Sequence, residues 1–437
     1  MGVDAHATIY FMIEDEPPMT EPSKVDVVVR GGQPMKVEEL PGHLALALRL
    51  ENVGVFLGAG ASVPAGGKTM KAIWSELLAG SPATVKWLRD GNFLEEMEEG
   101  ATPNIEAILG DVDIALHDAK RRGDAKQVAD LETHGNTIRA VVVSAVKLHS
   151  ILWDERKSED ARRILEPYHR LLARLQGSRQ PGQSAPWVFT TNYDLSIEWA
   201  AEALGIHVVN GFSGLHDRRF QPNAFDLSLQ NTQATGEARF GSYNLNLVKL
   251  HGSLSWMSAE NGLDVIERSC DSIREDVDGF IASPKSSSFD PLLIQPTAAK
   301  YVDTVGFVYG EMIRRLTEFL SRSNTTLIVC GYSFGDNHLN RLIASGLLNP
   351  TLQLIIYTPE WGDVETPIPN TFLEGLRLLG SPRIIIRGGG EAAYLDRMSN
   401  DLPDPAMVDE LSPDAKRMLS NLAKSLSKPE LPEEETP

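Results

Sequence analysis

The feature that most constrains the fold is the run Val53–Leu57, which leads directly into Gly58-Ala59-Gly60-Ala61-Ser62. The run consists almost entirely of strand-favouring residues and carries no charge, which is typical of a strand buried on both faces. The two glycines of the next segment permit a tight turn. The pattern therefore predicts a buried strand that ends in a glycine turn.

Several other segments resemble strands, and they alternate with segments that have helical spacing. This alternation predicts an α/β fold, a Rossmann-like doubly wound and mainly parallel sheet with an inserted helical module. The predicted strands are Val25–Val29, Val53–Leu57, Pro186–Thr190, Ile206–Val209, Leu245–Leu250, Gly279–Ala282, Thr325–Cys330, Leu352–Tyr357 and Arg383–Ile386. The predicted helices are Leu40–Leu50, Met70–Leu78, Asn104–Leu116, Val128–His149, Ala161–Leu175, Leu195–Leu204, Val305–Ser321 and Asn337–Leu347.

The composition of each region predicts the domain organisation. Residues 1–39 form an N-terminal arm and a short strand, because the segment before the strand has a short apolar patch at Ile9–Ile13 and then a run rich in prolines and acids. Residues 40–400 form the main domain, with a helical insertion at 68–180 and a loop-rich insertion at 205–300. Residues 401–437 form a C-terminal helix and an acidic tail.

Charge and cysteine content argue against several classes of function. The net charge of -19 repels phosphate backbones, so no direct nucleic-acid binding is expected. The two cysteines, Cys270 and Cys330, do not form a C-x-x-C pair, and no metal site is expected. No secretory signal or membrane-spanning run of roughly 20 apolar residues is evident. We therefore expect a cytoplasmic protein that does not bind membranes.

Four unusual motifs come directly after predicted strands: GAGAS at 58–62, TTNYD at 190–194, LHGS at 250–253 and GYSFGD at 331–336. In open α/β sheets, ligands bind beyond the carboxyl ends of the strands. The four motifs are therefore expected to lie on one rim of the sheet.

The two glycine motifs are candidates for binding phosphate. Gly58 and Gly60 would leave backbone amides facing outward, so that a pyrophosphate can approach, although Pro64 occupies the region of the third glycine of a dinucleotide fingerprint. A plain βα turn is the alternative. In the second motif, Ser333 and its neighbouring amides can bind phosphate or ribose, whereas Asp336 is alternatively a helix cap.

The other two motifs supply candidate chemical groups. Asn192 can hold a ribose hydroxyl or a water through its amide donor and acceptor. Asp194 either accepts from hydroxyls or caps the following helix, and helix capping is the alternative for Asn192 as well. His251 can act as a base or acid near neutral pH, or it can be purely structural.

In this order, the four motifs resemble the sirtuin-like family, over roughly residues 40–360. The resemblance implies a domain that binds NAD as its substrate. By this resemblance Asn192 and His251 take the catalytic positions, while Gly331 and Ser333 contact phosphate and the adenosine ribose. Thr190 and Asp194 complete the expected nucleotide-binding set. The resemblance assigns pyrophosphate contacts to Gly58, Ala59, Gly60 and Ser62.

The chain lacks the four-cysteine zinc module of deacylating sirtuins. Its long helical module makes it similar to the sirtuin-like effectors of bacterial anti-phage defence, which degrade NAD. That similarity implies an NAD hydrolase that causes abortive infection by NAD depletion. It also implies a homo-oligomer, with a HerA-type ATPase or an Argonaute-like protein as a partner. The alternatives are an NAD- or ADP-ribose-binding regulatory subunit of a partner ATPase, and an NAD-dependent deacylase or ADP-ribosyltransferase.

Overall fold

A computed structural model describes the chain at residues 26–94, 102–180, 183–215, 218–227, 229, 244–259, 264–284, 289, 291–293, 304–359, 361–392 and 394–404. The expected N-terminal arm up to residue 25 and the expected tail from residue 405 lie outside these residues. Among the described residues, no helix has the length and apolar character needed to cross a membrane.

Strands of the described residues are numbered in chain order. They are β1 Val27–Arg30, β2 Gln33–Met35, β3 Asn52–Leu57, β4 Trp187–Thr190, β5 His207–Val209, β6 Phe212–Ser213, β7 Arg218–Phe220, β8 Asn244–Lys249, β9 Gly252–Ser258, β10 Val265–Glu267, β11 Pro291–Leu293, β12 Thr325–Cys330, β13 Leu352–Tyr357 and β14 Ile384–Gly388.

The helices are numbered in the same way. They are α1 Leu40–Ala47, α2 Met70–Gly80, α3 Pro82–Asp90, α4 Ile105–Arg122, α5 Ala125–Val146, α6 Ile151–Asp154, α7 Glu159–Gly177, α8 Ser196–Ala203, α9 Cys270–Ala282, α10 Thr304–Ser321, α11 Asn337–Gly346, α12 Thr371–Leu378 and α13 Leu395–Asp401. Three 3₁₀ helices cover Val37–Glu39, Ala59–Ala65 and Pro222–Asp226.

The large sheet confirms the predicted fold class. Its strand order is β2-β1-β14-β13-β12-β3-β4-β8-β5, and the strands from β14 to β5 pair in parallel. The strands β1 and β2 add an antiparallel edge. Six neighbouring strands, β8-β4-β3-β12-β13-β14, have the 3-2-1-4-5-6 order of a Rossmann sheet when they are numbered by their succession in the chain. The topological switch point, where the order in which strands are added to the sheet reverses direction, therefore lies between β3 and β12.

The two central strands are buried along their whole length, as their uncharged sequences require. Every residue of β3 and of β12 is buried. Gly54 in β3 gives room for helix α10, because a Cβ added there would lie 2.6 Å from the Phe319 ring. The backbone of β3 is thus fixed between neighbouring strands and a close-packed helix, so the loop that follows it has a well-defined position.

Among the described residues, six α-helices, α2 to α7, lie between β3 and β4 in the chain. Helix α7 packs against α8 and α13, and α5 packs against α9. Four of the six were predicted, while α3 and the single-turn α6 were not. This region contributes a residue to the candidate site, described below.

A second sheet was not predicted from the sequence. It has the order β11-β9-β10-β7-β6 and antiparallel pairing. The predicted strand at Gly279–Ala282 is wrong, because these residues form the last turn of α9. The buried residues Ile273, Val277 and Phe280 recur at helical spacing, and this period outweighs the strand preference of the final Phe-Ile pair.

Candidate active site

The two glycine loops meet at the switch point of the large sheet and touch through their backbones. A Cβ on Gly58 would lie 2.5 Å from the carbonyl oxygen of Gly331. A Cβ on Gly331 would lie 2.2 Å from the amide nitrogen of Ala61, and the φ of Gly331 is +68°. Only residues without a side chain permit this approach, so the glycines are required by the contact between the loops.

The amides of the first glycine loop are used within the protein. The N–H of Gly58 donates to the carbonyl of Cys330 at 3.0 Å, and the N–H of Gly60 donates to the carbonyl of Gly331 at 2.9 Å. The expectation that these two amides face outward is therefore wrong. The loop continues as a 3₁₀ helix that begins at Ala59, which is exposed.

The amides of the second glycine loop are open. Within the described part of the chain, the N–H groups at 331–335 have no hydrogen-bond acceptor. Both Gly331 and Phe334 have left-handed backbone, with φ of +68° and +55°. Backbone N–H groups without an acceptor in a loop of this kind can bind an anion. Ser333, which was predicted to contact phosphate, lies exposed in this loop, and its carbonyl accepts from Asn370.

Asn192 joins the loop after β4 to the first glycine loop. Its Nδ2 donates to the carbonyl of Gly58 at 3.0 Å and to Ser62 Oγ at 2.8 Å. Its own N–H donates to Thr190 Oγ1, and the Thr190 hydroxyl in turn donates to the carbonyl of Leu57. Both amide donors of Asn192 are thus occupied, while Oδ1 has no partner among the described residues. The side chain is half-buried, so this acceptor remains for a ligand.

Ser62 is the centre of a buried hydrogen-bond cluster behind Asn192. Its hydroxyl donates to Asp194 Oδ2 at 2.6 Å and lies 3.2 Å from the Tyr168 hydroxyl. The other carboxylate oxygen of Asp194 accepts from the backbone N–H of Ser196, at the start of α8. Asp194 thus accepts both from hydroxyls and from the first N–H group of α8, which agrees with both alternatives that the sequence left open. Its contact with a nucleotide stays a prediction. Both Ser62 and Asp194 are buried, at 4% and 5% exposure, so these side chains fix the shape of the rim.

The histidine motif lies beside the asparagine motif. The N–H of Leu250 donates to the carbonyl of Thr190 at 2.8 Å, and the N–H of Leu254 donates to the carbonyl of Tyr193 at 3.0 Å. Between them Gly252 has a φ of +102°, which allows the chain to turn from β8 directly into β9. The buried Lys249 adds a further link, because its Nζ lies 3.0 Å from Ser253 Oγ and also donates to the carbonyl of Asp194.

The imidazole of His251 lies between two carboxylates and is 7% exposed. Its Nε2 is 3.4 Å from Asp336 Oδ2, and its Nδ1 is 3.5 Å from Glu106 Oε1. The Tyr193 hydroxyl donates to the same Glu106 oxygen at 2.6 Å. Asp336 also accepts from the backbone N–H groups of His338 and Leu339 through Oδ1, so the alternative role predicted for it, that of a helix cap, is confirmed.

Burial and charge act in opposite directions on His251. Burial alone would lower its pKa, but Glu106 and Asp336 outweigh burial and raise the pKa of His251 to about 10. Burial would likewise raise the pKa of both carboxyl groups, yet the contacts with His251 lower the pKa of Glu106 and of Asp336 below their usual values. At neutral pH the site therefore holds an imidazolium between two carboxylates.

Sequence reasoning missed Glu106. It lies in the first turn of α4, where Asn104 accepts from the N–H of Glu106 and of Ala107 and so caps the helix. The capping pattern is visible in the sequence, but it predicts only a helix start. The residue lies far along the chain from Tyr193 and His251, so the sequence carries no signal that they meet.

Together the four motifs form a closed ring of contacts. The first glycine loop touches the second through Gly331, and it touches the asparagine motif through Asn192. The asparagine motif pairs with the histidine motif, and His251 reaches Asp336 of the second glycine loop. Across the described ranges, no group of three or more His, Cys, Asp or Glu residues is suited to a metal ion.

Two comparisons with known proteins gave matches. Residues 186–349 match the family model described as "SIR2-like domain", which spans the asparagine, histidine and second glycine motifs. A solved structure described as "The Structural basis for Sirtuin Substrate affinity" is 13% identical, covers 74% of this chain and 86% of that chain, and has a TM-score of 0.27. No curated protein matches the chain. The segment from β4 to the end of α11 is therefore similar to SIR2-like domains.

Proposed function

We propose that this protein hydrolyses NAD to nicotinamide and ADP-ribose at the site formed by Asn192 and His251. The observation that carries the proposal is the ring of contacts that joins the four motifs. SIR2-like domains act on NAD, and the matched segment holds both proposed catalytic residues. Because the four motifs contact one another, they can act on NAD as a single site rather than as four separate loops.

The second glycine loop is the proposed pyrophosphate site. The open N–H groups at 331–335 can donate to phosphate oxygens, and the exposed Ser333 hydroxyl can donate beside them. A protein with a net charge of -19 cannot attract a dinucleotide by its overall field, so local backbone donors must supply the attraction. Gly58 and Gly60 act by keeping side chains away from the switch point.

Hydrolysis breaks the bond between the ribose anomeric carbon and the nicotinamide nitrogen. The bonding electron pair returns to the pyridinium ring, which leaves as neutral nicotinamide, and a water oxygen bonds to the sugar. The proton lost by this water passes to His251 and then to solvent. Asn192 Oδ1 accepts from a ribose hydroxyl or from the water, because its Nδ2 is fixed on Gly58 and Ser62.

His251 can accept a proton only after its environment changes. Its pKa of about 10 keeps it protonated at neutral pH while both carboxylates face it. Asp336, which stands at Nε2, belongs to the loop that we propose binds the pyrophosphate. Substrate binding that separates Asp336 from Nε2 would remove one negative neighbour and lower the pKa of His251 toward neutrality.

A role in anti-phage defence is a further part of the proposal and rests on the family resemblance alone. NAD depletion by a homo-oligomer, with a HerA-type ATPase or an Argonaute-like protein as partner, fits an enzyme that must stay inactive until it is triggered. The large acidic surface charge is compatible with partners that present basic surfaces.

Product analysis tests the proposed activity. Purified protein is incubated with NAD, with and without its co-expressed neighbouring proteins, and the products are separated by chromatography. Equal amounts of nicotinamide and ADP-ribose, formed without an acylated peptide or another acceptor, are expected. Tight NAD binding with no product under either condition would contradict hydrolysis and favour a nucleotide-binding regulatory subunit. Product formation that requires an acylated peptide would favour deacylation.

A further inference from the structure

The helical region between β3 and β4 contributes Glu106 of α4 to the surroundings of His251. Its Oε1 is 2.6 Å from the Tyr193 hydroxyl and 3.5 Å from His251 Nδ1. The Asn104 side chain accepts from the backbone N–H groups of Glu106 and Ala107 and so fixes the first turn of the helix. The carboxylate therefore has a defined position relative to the imidazole.

Nδ1 of His251 is a buried donor that needs an acceptor. Within the described residues it has no partner that satisfies hydrogen-bond geometry, and Glu106 Oε1 is the carboxylate beside it. An unpaired buried polar atom is costly, so a small approach of α4 toward His251 would be favourable.

We propose that Glu106 is a positioning residue for His251, through which the helical region controls the site. By accepting a hydrogen bond from the Nδ1–H group, Glu106 fixes the ring so that Nε2 faces the substrate side, where Asp336 stands. A displacement of α4 would release Nδ1 and disorder the ring. This inference rests on the proposed hydrolysis, but it predicts a property of His251 that can be measured without substrate.

The groups that face His251 come from four different elements. Glu106 lies on α4, Asp336 follows β12, Tyr193 follows β4, and Tyr309 lies on α10 with its hydroxyl 3.5 Å from the His251 carbonyl. Burial raises the pKa of both tyrosines, and the Glu106 charge adds to that effect, so both stay neutral near pH 7. Glu106 and Asp336 are therefore the groups that control the charge on His251.

The test uses the full chain with ¹⁵N-labelled histidine and follows the ring nitrogens of His251 by NMR during a pH titration. The variant is Glu106→Gln, which keeps the shape and removes the charge. Glu159→Gln is the matched control, because Glu159 lies exposed in the first turn of α7 in the same helical region. The titration midpoint of His251 should fall by about 1 to 3 pH units in Glu106→Gln and stay unchanged in the control.

Activity provides the second readout. In Glu106→Gln we expect kcat for NAD hydrolysis to fall roughly 10- to 100-fold at its optimal pH, with KM changed little. The acidic limb of the kcat/KM profile should move to lower pH. Glu106→Asp, which retains the charge, should recover part of kcat. If Glu106→Gln fails to fold, Tyr193→Phe removes the hydroxyl that holds Glu106 and should shift the midpoint in the same direction.

The two proposals fail in different ways. An unchanged His251 titration in both Glu106→Gln and Tyr193→Phe would overturn the positioning role, whatever the activity of the wild-type chain. A shifted titration in a protein that never consumes NAD would support the contact between Glu106 and His251 and would contradict hydrolysis. Equal loss of kcat in Glu106→Gln and Glu106→Asp, with no change of pH profile, would also overturn the positioning role.

Discussion

Asp336 contacts His251 and caps a helix with the same carboxylate. Its Oδ2 lies 3.4 Å from His251 Nε2, while its Oδ1 accepts from the N–H groups of His338 and Leu339 at 2.8 and 3.2 Å. The loop that carries the open amides is therefore connected to the imidazole through one side chain. A ligand that repositions this loop also changes the environment of His251.

Asp336→Asn should separate these two functions. Asparagine caps a helix as well as aspartate does, so the stability of α11 should be retained. The charge beside Nε2 is lost, so the pKa of His251 should fall from its raised value. NMR titration of labelled histidine measures this shift, and thermal unfolding measures the cap. Asp336→Ala should show the same shift with about 1 kcal/mol less stability; an unchanged titration in both variants would show that Asp336 does not act on His251.

Ser62→Ala should destabilise the protein because the hydroxyl serves several buried groups. Asp194 Oδ2 loses its 2.6 Å donor, and Asn192 Nδ2 loses one of its two acceptors. Leaving such groups unpaired costs about 1 to 3 kcal/mol, measurable by denaturant unfolding. Ser75→Ala is the control, because Ser75 is exposed on α2 and, within the described residues, bonds only the carbonyl of Lys71. Equal stability of both variants would contradict a structural role for the Ser62 cluster.

Gly331→Ala should disrupt the contact between the two glycine loops. The new Cβ would lie 2.2 Å from the amide nitrogen of Ala61, and alanine is strained at a φ of +68°. We expect the free energy of unfolding to fall by about 3 kcal/mol or more. Gly335→Ala, in the same loop, has its nearest neighbour at 3.4 Å and should be tolerated. Comparable losses in the two variants would mean that the loops do not pack as described.

The raised pKa of His251 should appear in the pH dependence of stability. A group whose pKa is higher in the folded state stabilises the protein below its unfolded pKa, near 6.5, and this contribution is lost as the pH rises through about 10. The stability difference between wild type and His251→Gln should therefore shrink between about pH 6.5 and about pH 10. Denaturant unfolding at several pH values measures it; a difference that is constant over this range would contradict a charged His251.

The sequence was sufficient to predict eight of the nine strands of the large sheet, and the three-residue edge strand β2 was missed. Uncharged apolar runs such as Val53–Leu57 and Thr325–Cys330 occur where strands are buried on both faces, and glycine motifs mark their ends. The second sheet was missed because four of its five described strands have only two or three residues. Strand β6 has two residues and β7 has three, so neither shows a period.

The candidate site was predictable only as a set of separate motifs. The motif residues Asn192 and His251 could be named from strand ends and chemistry, but the sequence did not show which donors are already used. It assigned open amides to Gly58 and Gly60, whereas those amides bond the neighbouring loop. Glu106 was missed for a related reason, since a contact between a helix start and a distant strand end depends on packing rather than local pattern.

The most direct test of the account is kcat/KM for NAD hydrolysis in variants of the two proposed catalytic residues. Asn192→Ala and His251→Ala should each lose about 100-fold or more, because the first removes the fixed ribose acceptor and the second removes the proton acceptor. Asn223→Ala and His207→Ala change the same residue types at exposed positions and should remain within about twofold of wild type. Wild-type rates in Asn192→Ala and His251→Ala would contradict the proposed site.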